Sequence, residues 1–101
     1  MSGPVVIAKI TAQPGKRDEL VAGVQALVDN AENEPGTLVY LLYTDATNAD
    51  VIWFYERYES QEAFDAHSSS ETMKAVGMKL RDVAAGRPEV MVLDLVGGKG
   101  S

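Results

Sequence analysis

The sequence predicts an α+β domain of the ferredoxin-like, split β-α-β type (βαββαβ), an antiparallel sheet with helices on one face. Three observations carry this expectation. Segments rich in β-forming residues fall at 5–11, 38–43, 51–58 and 89–96. Segments with helical spacing fall between the first and second of these and between the third and fourth. The stretch between the second and third, residues 45–50, is short and polar, so those two strands form a hairpin.

In the first strand Val5, Ile7 and Lys9 alternate with Val6, Ala8 and Ile10, and both faces are largely apolar. Pro14-Gly15 punctuates the chain. Leu20, Val24, Leu27, Val28 and Ala31 then share one helical face, with Lys16, Asp18, Glu19, Gln25 and Asp29 elsewhere. Glu34-Pro35-Gly36 ends that helix, because proline disfavours helical backbone in the residue before it. In the strand at 51–58, Ile52, Phe54, Glu56 and Tyr58 share one face, and Val51, Trp53, Tyr55 and Arg57 the other. Ser60 is placed to cap the next helix, with Glu62 in its first turn. Ala63, Phe64 and His67 lie on one side of it, and Ser68-Ser69-Ser70 interrupts the pattern. A second helical piece carries Met73, Val76, Gly77, Leu80 and Ala84 on one face, with Gly86 as its C-terminal cap. The last strand is expected over 89–96.

With 101 residues the chain is expected to be one domain, 1–101, with a core over about 5–96 and a flexible tail over 97–101. Helices enough for one face leave a sheet that is apolar on both, so a second copy packed sheet to sheet, a homodimer, is expected. No run approaches the roughly 18–20 apolar residues of a membrane span, so no membrane partner is expected. Met1-Ser2-Gly3-Pro4 has no basic region and does not read as a signal peptide. The absence of cysteine favours a reducing compartment and a cytoplasmic location. A formal net charge of −6 argues against nucleic acid as a partner, since phosphate binding needs clustered Lys and Arg.

Several local motifs resemble the antibiotic biosynthesis monooxygenase family, including its small quinol monooxygenases. They are Pro14-Gly15-Lys16, Glu34-Pro35-Gly36 followed by Leu38 and Tyr40, Glu56-Arg57-Tyr58-Glu59-Ser60, Ala66-His67, and Met73-Lys74-Ala75. Their order and spacing extend the resemblance over about 5–96. The resemblance implies a dimeric α/β barrel with a substrate cavity in each subunit, between sheet and helices. It implies oxidation of a small quinol or polycyclic phenol by molecular oxygen, with no cofactor. The haem-degrading relatives use an Asn on the first strand, and this chain has none between Val5 and Thr11.

His67, the only histidine, is the expected base for a phenolic proton, because an imidazole titrates near neutrality. Glu56, a carboxyl on a strand face shared with Ile52 and Phe54, is the second catalytic candidate; it could serve as a base or accept a hydrogen bond from His67. Trp53, Phe54, Tyr40 and Phe64 are expected to bind the substrate ring. Alternation puts Tyr40 and Tyr43 on opposite faces, so one of them belongs to an interface. The three serines read as a loop, because no nucleophile-elbow motif accompanies them. No His, Asp or Glu cluster has metal-ligand spacing, so no metal site is expected. Two further readings fit the same residues. One is a non-redox isomerase of a small carbonyl compound that uses His67 and Glu56 for proton transfer, and the other is a ligand-binding dimer without catalysis.

Overall fold

The structure is a computed structural model that describes residues 3–100. Met1 and Ser2, on which part of the signal-peptide reading falls, and Ser101 of the expected tail lie outside the described residues. The elements are β1 (Val5–Thr11), α1 (Arg17–Ala31), β2 (Thr37–Thr44), β3 (Val51–Tyr58), α2 (Gln61–Ser68), α3 (Glu71–Lys79) and β4 (Glu89–Leu93). The strands form one antiparallel sheet in the order β2-β3-β1-β4, as the split β-α-β pattern requires.

The periodicities act as expected in most places. On β1 the even positions Val6, Ala8 and Ile10 are buried and the odd ones half-buried. On α1, Leu20, Val24 and Leu27 point at the sheet, and Val21 and Val28 pack beside them. Together with Ile52, Phe54, Val76 and Leu80 they form the core. The turn after β1 needs Gly15, whose φ of +77° is a region that side chains disfavour; its N–H donates to Asp50 in the β2–β3 turn. Arg17 ties the same turn to the start of α1 by donating to the carbonyls of Asp45 and Asn48.

The interruption expected at the three serines is present: Ser70 leaves helical geometry and its hydroxyl accepts from the Met73 N–H, opening α3. Two boundaries differ from the sequence reading. α3 stops at Lys79 rather than running to a Gly86 cap. Val83 and Ala85 hydrogen-bond to Gln13 and Thr11 at the end of β1 instead, and Ala84 bridges to Ala12. β4 ends at Leu93 rather than Val96, for its ladder partner β1 begins at Val5, opposite Leu93.

The loop between α1 and β2 approaches α2 closely at Gly36. A Cβ built there would lie 2.5 Å from the Ala63 Cβ. Gly36 also accepts a hydrogen bond from the Glu59 N–H, so this loop and the start of α2 are held together. Gly36→Ala is expected to lower the unfolding free energy by about 1–3 kcal/mol, the usual range for overpacking. Urea unfolding of the two proteins checks this, and an unchanged midpoint would mean that the approach is looser than described.

Candidate functional site

The sheet register sets the floor of the site. Glu56 on β3 pairs with Val6 on β1 and with Tyr40 on β2, so the three share one row on the helix side. The next row places Leu42, Phe54, Ala8 and Val90 side by side on that face. Above these rows lie Leu27 of α1, Phe64 and His67 of α2, and Met73 of α3. They enclose a mainly apolar cavity of about 220 Å³ whose rim reaches Pro88 and Val90.

His67 is in the last turn of α2, a helix fixed at its start by the Ser60 hydroxyl accepting from the Ala63 N–H. Phe64, one turn earlier, lines the same cavity. The imidazole is 3% exposed, and its Nδ1 lies 2.9 Å from Glu34 Oε1. Glu34 is held in turn, with Thr37 Oγ1 donating to Oε1 at 2.9 Å and Asn30 Nδ2 to Oε2 at 3.2 Å. Nε2 of His67 is buried and has no hydrogen-bond partner among the described residues. The rings of Tyr40 and Tyr58 lie 4.9 and 5.5 Å from the imidazole, centroid to centroid.

Glu56 does not take the hydrogen bond from His67 that its strand position had suggested. Its Oε1 accepts from the buried Tyr58 hydroxyl at 2.5 Å, and Glu34 is the partner of His67. Burial pushes the Glu56 carboxyl above the usual carboxylate range, with the Glu34 charge adding to this; the Tyr58 hydrogen bond and His67 pull the other way. Burial also raises both phenols. The nearby Glu56 and Glu34 charges raise Tyr40 further, and the Glu56 hydrogen bond does so for Tyr58. Both tyrosines therefore stay neutral; Tyr40 lines the cavity, and Tyr58 spends its hydroxyl hydrogen on Glu56.

Of the residues singled out from the sequence, His67, Glu56, Tyr40, Phe54 and Phe64 meet at this cavity. Trp53 does not. It lies on the opposite face, where its Nε1 donates to Asp45 Oδ2 at 2.7 Å and Lys9 Nζ sits 5.6 Å above its ring. Sequence reasoning passed over Glu34, which reads as part of a helix-ending Glu-Pro-Gly turn; its place in the motif was the only signal. Among the described residues no group of three or more His, Asp or Glu side chains is arranged to hold a metal ion.

The raised Glu56 carboxyl makes a pH prediction with a definite sign. The folded protein keeps this proton to a higher pH than the unfolded chain, whose carboxyl ionises near pH ~4.3. Its contribution to stability is complete below that value and is lost as pH rises through the folded-state value. Glu56→Gln, which does not titrate and still accepts from Tyr58, escapes the loss. The melting temperature of the variant relative to wild type should therefore climb between about pH 4 and pH 8. Parallel melting curves across that range would show that Glu56 is not shifted.

The sequence profile of the antibiotic biosynthesis monooxygenases matches residues 4–77. A solved Caulobacter crescentus structure assigned to those monooxygenases is 33% identical, covers 95% of this chain and 92% of its own, and superposes with a TM-score of 0.86. A Mycobacterium tuberculosis structure is 28% identical over 96% of this chain and 99% of its own, with a TM-score of 0.85. An uncharacterized Synechocystis protein is 28% identical over 90 residues; the alignment takes in 88% of this chain and 61% of that curated relative's length. With three-quarters of its residues under that profile, the chain belongs to the antibiotic biosynthesis monooxygenase family.

Proposed function

We propose that the protein is a cofactor-independent monooxygenase that oxidises a small quinol with molecular oxygen. One observation carries the reading: an apolar, aromatic-walled cavity into which two proton-carrying side chains, His67 and Glu56, are built. An electron-rich phenolate can itself give electrons to oxygen, so the protein needs to supply deprotonation, orientation and a dry wall. His67 takes the phenolic proton at Nε2. The ionised ring reduces oxygen; one oxygen atom forms a new bond to ring carbon and the other leaves as water. A quinol and oxygen thus become a hydroxyquinone and water, all four electrons coming from the substrate. Glu56, the carboxyl on the cavity floor, provides a proton for the departing oxygen and recovers one from the substrate.

The cavity size favours one ring over several. A cavity of about 150 Å³ accommodates benzene, and about 220 Å³ leaves room for a single ring with its oxygen substituents. The absence of cysteine is consistent with work in the cytoplasm. Among the described residues no helix is long and apolar enough to cross a membrane.

The working unit in this proposal is a homodimer. The sheet face away from the helices leaves Leu41, Tyr43, Met91 and Leu93 between 43% and 50% exposed, and apolar side chains grouped on one face mark a surface suited to a partner. Sedimentation equilibrium at micromolar concentration should give the mass of two chains, and a one-chain mass would rule the dimer out.

His67→Ala is expected to lower kcat on a single-ring quinol by about 100-fold or more, the usual contribution of a general base. Steady-state kinetics beside melting curves separates this loss from lost folding. Removing oxygen should stop turnover in the wild-type protein. Turnover that continues without oxygen would replace the oxidation with a proton-transfer reaction such as isomerisation.

A further inference from the structure

We infer that Glu34 is a positioning residue: it holds His67 in the Nδ1–H tautomer, so that the cavity accepts a ligand that donates a hydrogen to Nε2 and discriminates against one that cannot. The inference deepens the reading of the cavity given above, and it rests on that reading for where the ligand sits. Its first half concerns the protein alone.

Both oxygens of Glu34 already receive hydrogen bonds, from Thr37 Oγ1 and from Asn30 Nδ2. A carboxylate with two such donors is an acceptor, so the 2.9 Å contact requires Nδ1 to carry the hydrogen. In a neutral imidazole the other nitrogen is then a bare lone pair. That nitrogen is the buried Nε2, which finds no donor among the described residues, on a ring that is 3% exposed and lines the cavity. The charged and titratable groups packed around the ring agree with this. Tyr58 spends its hydrogen on Glu56, Tyr40 presents its ring to the imidazole, and Glu34 is engaged at Nδ1. A phenol or quinol hydroxyl satisfies Nε2, whereas a ligand with only ether or carbonyl oxygens would set lone pair against lone pair. Without Glu34 the ring would be free to place its hydrogen on Nε2, and the preference would be lost or reversed.

Because the chain has a single histidine, nitrogen-15 NMR of the labelled protein reads one imidazole without assignment. At a pH where the ring is neutral, the ligand-free wild type should show a protonated Nδ1 and a bare Nε2. Glu34→Gln, whose amide oxygen still accepts, should keep that signature; Glu34→Ala should move the hydrogen toward Nε2. Phenol and its methyl ether anisole, matched in ring but differing in the donor, are the binding probes. Phenol should bind about tenfold more tightly to wild type and to Glu34→Gln, the factor expected of one net hydrogen bond, and should lose that advantage in Glu34→Ala. A wild-type Nε2–H tautomer would overturn the proposal by itself, even if Glu34→Ala fails to fold. An unchanged tautomer in a folded Glu34→Ala protein, or equal binding of the two probes to wild type, would overturn it as well. Failure of oxygen-dependent turnover would remove the oxidation proposed above and leave this assignment standing, since the tautomer is read without substrate.

Discussion

Burying polar side chains between a sheet and its helices is tolerable only where each finds a partner, and that constraint organises this molecule. Glu56, Tyr58 and His67 are all withdrawn from water on the helix side of the sheet. Tyr58 answers Glu56 within one strand, two residues apart, which the pleat permits because both point to the same face. His67 is answered from outside the sheet, by Glu34 in the loop between α1 and β2. For that contact to form, the loop must come close to α2, and Gly36 allows it by carrying no side chain where Ala63 approaches. The loop, the small residue in it and the docking of α2 together bring a carboxylate to the one buried imidazole.

The hairpin of β2 and β3 serves the two faces of the sheet differently. Its inward residues Tyr40, Phe54 and Glu56 build the cavity floor. Outward, Trp53 is pinned to Asp45 of the connecting turn, and the Asp45 carboxyl is held well below the usual carboxylate range by that indole, with the Asn48 and Thr47 amides adding to it. An outward aromatic fixed in this way is a rigid element of the exposed sheet surface, beside Lys9, which spans the Trp53 ring and Glu89. Rigid aromatic surface loses little entropy on association, which suits the face proposed above to meet a second copy.

Much of this was legible in the sequence because it depends on local periodicity. The alternation on β3 sorted Phe54 and Glu56 from Trp53 correctly, and the Ser60 cap and the face shared by Phe64 and His67 followed from helical spacing. Trp53 was grouped with the cavity for its chemistry, although its own parity set it on the other face. What local pattern could not give was long-range pairing. Glu34 and His67 are 33 residues apart, and nothing in either segment alone names the other. The ends of α3 and β4 were misjudged for the same reason. The first is set by hydrogen bonds to the end of β1, and the second by where β1 begins.

An imidazole is a poor choice for filling the space at position 67 if packing is its whole role. A buried acceptor left without a donor costs about 1–3 kcal/mol, a large part of the roughly 5–15 kcal/mol that separates a folded domain from its unfolded chain. A leucine or methionine in the same helix turn would pack against Tyr40, Tyr58 and Phe64 with no such penalty, and Glu34 could then turn to water, from which it is only partly withdrawn. The arrangement instead commits a carboxylate, two further donors and a glycine to hold one nitrogen in place while leaving the other without a partner among the described residues. Such an arrangement becomes favourable when something else donates to Nε2, and the cavity that His67 lines is apolar, aromatic-walled and the size of one substituted ring.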